Sequence, residues 1–299
     1  MQSASVRASA PVHRAEVLGL LLGVGFASAI TDRIVMAVTG AGVGTAIAAT
    51  FYISVIVWGA AWLALTLAWR SVPEPMRNMD WFAVAAAGVA FVLPFSVLAW
   101  IGLTALALYV AFSSKRPSGL WRTGMLFLAI TIPMFWSPRF FAIFSDTVLS
   151  LDAELVSRLV GTQRVGNTVP LADGAGFLYI APGCSSMANV SLVLLCWACF
   201  AQFSERKIGL NDLGWCFLAC VGVVALNVSR ISAIGLYPNW YEQIHNEPGY
   251  TIFGYATLFV TVGVCVYWRR RELFNNSAMP PNDSPDRSGR RQAVFLRTD

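Results

Sequence analysis

WFAVAAAGVAFVLPFSVLAWIGLTALALYVAF, residues 81–112, contains no charged side chain. At 1.5 Å per residue a helix of this length would reach about 48 Å, against a bilayer hydrocarbon core of about 30 Å. The run is too long for one crossing and short for two generous ones. Pro94 near its middle predicts a helical hairpin turning there, because proline interrupts a helix interior. Residues 34–69, 174–204 and 248–268 are likewise free of charge and long enough to span. The chain of 299 residues is 57% hydrophobic and 12% charged, with a mean hydropathy of +0.61. Soluble domains carry about 25% charged residues, so an ordinary cytosolic protein is excluded. Disorder, collagen and a disulfide scaffold are excluded too, and so is a barrel, whose strands alternate in short segments. The fold class predicted is an all-α polytopic membrane protein.

Eight crossings are expected. The first is residues 17–30, with the Asp32-Arg33 pair leaving its far end open, and the second is 44–69. Two lie within 81–112, and the others are 120–136, 185–203, 213–234 and 250–268. The basic residues orient them. Arg7 and Arg14 precede the first crossing, Arg70 and Arg77 follow the second, and Lys115, Arg116 and Arg122 lie between the fourth and fifth. Arg206 and Lys207 separate the sixth from the seventh; Arg269, Arg270 and Arg271 close the eighth, followed by the four arginines of the tail. With eight crossings these 16 of the 21 basic residues share one side, which the positive-inside rule makes the cytoplasm, with both termini there. Residues 1–14 then form a cytoplasmic tail and 15–274 a single transmembrane domain. The Pro-, Ser- and Arg-rich segment 275–299 reads as a disordered cytoplasmic tail. No cleavable signal peptide is expected, since the first apolar run leads into further spans without a small-residue cleavage site. The sequence has no internal repeat, Walker loop or HExxH, and nothing in it points to nucleic acid.

The longest segment outside the spans, 137–183, falls on the outer side. Phe141, Phe144, Val148, Leu151, Leu155 and Leu159 recur at helical spacing and predict an interfacial amphipathic helix. The β-branched and aromatic runs on either side of Asp173-Gly174 predict a small β-hairpin. The hairpin delivers the chain to Cys184, Ser185 and Ser186, where the sixth span starts.

Three reactive side chains then stand at one depth. Cys196, Cys199, Cys216, Cys220 and Cys265 lie inside apolar spans, where a free cysteine is ordinarily a small buried hydrophobe. No second CxxC or nearby histidine completes a zinc site around Cys196 and Cys199, so no metal and no cofactor is expected. Cys184 is the one cysteine on the outer side, at a helix start, where the helix end favours thiolate over thiol. Arg230 is the one basic residue that cannot be moved out of an apolar span. Unless it snorkels to the headgroups it is a functional residue by default. Asn227, three residues earlier, shares its helix face. His245 sits in the outer connection before the last span, and the other histidine, His13, is in the N-terminal tail. A cysteine nucleophile, a histidine acid/base and an arginine able to hold an oxyanion form an acyl-transfer set.

The order Cys184-Ser-Ser, Asn227-x-x-Arg230 and His245 before the last span resembles the exosortase/archaeosortase family. Gly166-Asn-x-Val-x-Leu leading to Ala181-Pro-x-Cys184 is similar to that family's approach to its cysteine. The match covers about residues 165–267. This resemblance implies a multi-span cysteine endopeptidase/transpeptidase of the bacterial inner membrane, facing the periplasm, with residues 184–268 as its catalytic spans. The substrates implied are exported proteins ending in a short motif, a hydrophobic helix and a basic tail; the acceptor is water, an amine, or a glycan or lipid. Cys184, Arg230 and His245 would be catalytic, with Asn227, Ser185 and Glu247 in support. The family commonly has Gly at the position of Ser186 and Asp at that of Asn246, and Glu247 is the neighbouring carboxylate that could substitute. Two other classes fit the same residues. One is a transporter or glycoconjugate-export component binding an anionic substrate at Arg230, and the other is a non-catalytic membrane scaffold.

Overall fold

The computed structural model describes residues 13–203, 209–246 and 248–277, with side chains described to residue 270. Helix α1 (Arg14–Ala41) is followed by the short α2 (Val43–Ala48) and then α3 (Val55–Trp69). Helices α4 (Asn78–Val92) and α5 (Ser96–Ser113) form the hairpin expected at Pro94. Helix α6 (Gly119–Thr131) runs through a π turn at Ile132–Trp136 into α7 (Ser137–Val160). Strands β1 (Thr168–Pro170) and β2 (Phe177–Tyr179) pair antiparallel, Val169 opposite Leu178. The remaining helices are α8 (Met187–Phe203), α9 (Leu210–Leu236), the single turn α10 (Tyr241–His245) and α11 (Gly249–Ser277).

Five helical stretches are long and apolar enough to cross a membrane: Arg14–Ala41, Ser96–Ser113, Gly119–Val160, Leu210–Leu236 and Gly249–Arg270. Three shorter apolar helices, α3, α4 and α8, pack among them. The architecture is compatible with a multi-pass membrane protein.

Lipid tails are as apolar as the helices, so helices associate there through close packing and interhelical hydrogen bonds. Helix α3 presents Ala60, Ala61, Ala64 and Ala68 to its neighbours, all buried. A Cβ on Gly19 of α1 would stand 2.6 Å from the Ala68 Cβ, and one on Gly124 of α6 would meet the Ala107 carbonyl at 2.9 Å. Thr123 of α6 donates across to the Ala64 carbonyl at 2.9 Å. Phe26 lies edge-on to Trp58 and Trp100 at the centre of this half of the bundle. At one end of it, the Arg14 Nε donates to both Asp80 carboxylate oxygens at 2.9 and 2.8 Å. Tyr109 Oη and the Arg77 amide also donate to Asp80, at 2.7 Å each. Arg14 and Asp80 are both fully buried. Arg14, read above as the last residue of a tail, is therefore the first residue of α1 and an anchor of the bundle.

Several boundaries differ from the sequence reading. The second apolar run is not one helix from residue 44. It breaks before Val55 through a left-handed turn at Thr50, Phe51 and Tyr52, with φ of 52°, 55° and 55°. No Gly or Pro marks this turn. Thr50 closes it, its hydroxyl lying 2.7 and 2.6 Å from the Ala49 and Ile53 carbonyls, and Ser54 caps α3 by accepting from the Ile56 amide. The fifth run does not end at Trp136 but continues as α7. A π turn containing Pro133, with Pro138 just beyond, absorbs the missing amide bonds without stopping the helix. Helix α1 passes through the Asp32-Arg33 pair to Ala41. Residues 278–299, most of the expected C-terminal tail, lie outside the described residues, as do Arg206, Lys207 and Glu247.

Candidate functional site

The insert between α6 and α8 builds one wall of the site. Helix α7 has two apolar faces. Leu149, Ala153, Val156 and Val160 pack with Val169 and Ile180 of the hairpin and with Val228 and Ile231 of α9. Of the stripe read from the sequence, Phe144, Leu151, Leu155 and Leu159 remain exposed, Val148 is half-buried and Phe141 packs against the insert core. Gly161, with φ of 79°, ends α7 in the left-handed region. Asp173 and Gly174 form the hairpin turn as expected. Asp173 Oδ1 accepts from the Ala175 amide at 2.9 Å, and Gly174 takes φ of 70°. The Ala172 amide donates to the Gly235 carbonyl at 3.0 Å, tying the hairpin to the end of α9.

From β2 the chain enters a 3-10 turn, Pro182–Cys184, stapled by the Asn167 side chain donating to the Ile180 carbonyl. Cys184 is half-buried against the insert core and is not in a disulfide. It does not open a helix. Helix α8 starts at Met187, whose amide donates to Ser185 Oγ at 3.2 Å, while the Ser186 amide donates to Asp152 Oδ2 at 3.0 Å. The carboxylate of Asp152, 4% exposed, thus occupies the positive end of α8 that sequence reasoning had assigned to the Cys184 thiolate. Asp152 was missed because the residue it serves is 34 positions away; its one sequence signal is a carboxylate on the buried face of an insert helix.

Helix α9 supplies the next two groups. Asn227, buried, donates from Nδ2 to the Cys184 carbonyl at 2.7 Å and to Ser186 Oγ at 3.0 Å. Arg230, one turn on, is half-buried and held by protein groups. Its Nε donates to the Ile244 carbonyl at 3.3 Å and its Nη2 to the His245 carbonyl at 3.2 Å. The Tyr250 and Phe253 rings of α11 lie 5.8 and 5.9 Å from the guanidinium carbon, near enough for cation–π attraction. His245 closes α10, its ring stacked on Tyr241 with centroids 4.8 Å apart. The neighbouring Asn246 donates to Glu242. Glu247 lies outside the described residues.

The structure therefore gathers all three segments, through backbone rather than through the reactive atoms. Among the described residues, neither the Cys184 thiol nor the His245 imidazole makes a hydrogen bond to the other or to any further side chain. Asn227 and Arg230 open onto a cavity of about 480 Å³, lined also by Gly183 and Ser185, by Tyr250 of α11, and by Ser54 at the break before α3; Cys184 and His245 are not among its lining residues. It shares Val55, Ile56, Tyr255 and Leu258 with a larger, almost wholly apolar groove between α3, α8 and α11. Cys196 and Cys199 line that groove, and among the described residues no three His, Cys, Asp or Glu side chains form a metal-binding group.

Comparison with protein-family models, with curated proteins and with solved structures gives no match to this chain.

Proposed function

We propose that this chain is an exosortase-like membrane cysteine endopeptidase/transpeptidase acting on the C-terminal sorting signals of exported proteins. The observation that carries the reading is the Asn227 side chain. It grips the Cys184 carbonyl one helical turn from an arginine that grips the His245 carbonyl, at the rim of a cavity leading into an apolar groove. Helices α1, α3, α4, α5, α6, α8, α9 and α11 serve as eight crossings, with both termini in the cytoplasm and the insert facing the periplasm from a bacterial inner membrane. The helices of 15 to 17 residues reach about 22–26 Å, short of a core of about 30 Å, and cross with their flanking turns or where the bilayer thins.

A substrate presents its short motif at the polar cavity and its hydrophobic helix along the groove. The Cys184 thiolate attacks the scissile carbonyl, and Arg230 holds the motif or the oxyanion in a low-dielectric rim. The C–N bond breaks and His245 protonates the leaving amine, leaving a thioester on Cys184. Water, an amine, or a glycan or lipid hydroxyl then gives up its proton to His245 and attacks the thioester, which releases the Cys184 thiolate and restores the protonated imidazole.

Arg230→Lys tests the site. An ammonium cannot reproduce a fork that spans two carbonyls, so processing should fall on the order of 10²-fold or more. Precursor and product are read by immunoblot, and normal processing would remove Arg230 from this role. Orientation is checked separately, with a membrane-impermeant thiol reagent on intact cells. Cys184 should label and Cys196 should not; the reverse pattern would overturn the topology.

One observation favours the transporter reading: Arg230 lines the cavity while the Cys184 thiol packs against the insert core. In that case Arg230 variants fail and Cys184→Ala works normally.

A further inference from the structure

We propose that the end of the bundle opposite Cys184 carries a binding site for a phosphate group, supplied by a lipid headgroup or as the free ion. The inference needs the chain to be membrane-embedded and does not depend on the peptidase reading. A cavity of about 140 Å³ lies where the start of α1, the end of α3, the end of α5 and the start of α6 meet. Ligand pockets for drug-sized molecules run to about 300–1,000 Å³, so this one admits a small ion or a headgroup fragment.

Its lining is rich in donors. Arg14, Arg70 and Lys115 contribute positive charge and Glu74 is the one carboxylate. Arg14 is matched by Asp80, and Glu74 lies 3.5 Å from Arg77. Among the described residues the Arg70 and Lys115 side chains make no ion pair or hydrogen bond, so two cations at the cavity are uncommitted. Counting Arg14 with Asp80 and Arg77 with Glu74, Arg70 and Lys115 leave the site a net charge of +2. That excess favours a phosphate anion.

The hydroxyls agree. Ser114 Oγ accepts from Arg14 and Ser118 Oγ accepts from the Trp121 amide, which leaves each hydroxyl hydrogen free to donate. Gly119 and Leu120 open α6 beside them, where first-turn amides have no acceptor within the helix. A Cβ on Gly119 would stand 2.5 Å from Ser71 Oγ and 2.7 Å from the Leu67 carbonyl. Only glycine lets the positive end of α6 approach the last turn of α3, and with it Arg70.

The depth fits a headgroup. Ser54, Val55 and Ile56 at one end of α3 line the Arg230 cavity, and Arg70 and Ser71 at the other end line this one. The 15 residues of α3 separate them by about 22 Å, most of a hydrocarbon core. Trp69, 73% exposed, flanks the pocket at the level where interfacial tryptophans gather. Basic pockets between helices at the cytoplasmic face are recurrent sites for anionic headgroups.

The test uses the full-length protein, delipidated in detergent, with native mass spectrometry as the readout. Phosphatidylglycerol, phosphatidylcholine and inorganic phosphate are added separately, and phosphate is also added in competition with phosphatidylglycerol. Wild type should prefer phosphatidylglycerol to phosphatidylcholine, and Arg70→Ala/Lys115→Ala should lose that preference by about tenfold or more. Arg269→Ala/Arg270→Ala removes the same charge from the end of α11 and should leave the preference intact. Failure of phosphate to compete assigns the site to a lipid headgroup. Binding of phosphate that the Arg70/Lys115 variant abolishes assigns it to the free ion. Equal binding of every probe by wild type and the Arg70/Lys115 variant, or no binding at all, overturns the proposal. Both replaced side chains are exposed and unpaired, so an unchanged melting temperature separates lost binding from misfolding.

Discussion

On the proposed peptidase reading, Cys184→Ala should leave an exported precursor at full length, with turnover reduced on the order of 10⁴-fold or more, as removal of a covalent nucleophile does in acyl-transfer enzymes. The substrate for this measurement is an exported protein of the same genome that ends in a short motif, an apolar helix and an arginine cluster. Loss of folding cannot account for the effect. The Cys184 thiol makes no hydrogen bond among the described residues, and the group that Asn227 holds is the backbone carbonyl, which alanine keeps. The Ser186 amide still meets Asp152, and Ser185 still caps α8. Only the sulfur is removed. Cys184→Ser should fail as completely, because a hydroxyl is a far weaker nucleophile than a thiol. Normal processing by the alanine variant, with Arg230→Lys defective, would exchange the peptidase reading for that of an anion-binding transporter.

Asp80→Ala should destabilise the bundle by about 3–5 kcal/mol, the usual cost of leaving one member of a buried ion pair without its partner. Arg14 would keep its bonds to Ser113 and Ser114, while the guanidinium, fully buried, would lose its close counter-charge and retain only Glu74 at 3.9 Å. The Tyr109 hydroxyl and the Arg77 amide would lose their acceptor in the same step. Arg14→Leu/Asp80→Leu should recover most of the loss, since a buried pair replaced by apolar groups of similar size is often close to neutral. Unfolding in detergent, read as a double-mutant cycle, measures the coupling. Additive single and double effects would show that the two charges do not stabilise one another.

Much of the helical plan was legible because it rests on properties local to the chain. Absence of charge over residues 81–112 and Pro94 at the midpoint were enough to place the α4–α5 hairpin, and Asp173-Gly174 placed the turn between β1 and β2. The left-handed turn before α3 escaped because Thr50, Phe51 and Tyr52 are unremarkable residues there. Their conformation answers to Trp58, which donates to the Thr50 carbonyl at 3.4 Å, and to the helices packed around them. The continuation of α6 into α7 escaped for the opposite reason: Pro133 and Pro138 are strong local breakers, and a π turn accommodated them.

The site divides in the same way. Cys184, Asn227, Arg230 and His245 stand out from the sequence alone, because the chain is so poor in charge and in histidine. Low charge density and apolar runs are sums over individual residues, and the sequence by itself determined them. Which atoms meet was decided only by the tertiary structure. Asp152 at the start of α8, the Asn227 amide on the Cys184 carbonyl and Arg14 against Asp80 join residues 34, 43 and 66 positions apart. A buried polar group must find a partner, but nothing local says which one. The choice falls to whatever the packing of helices brings within about 3 Å.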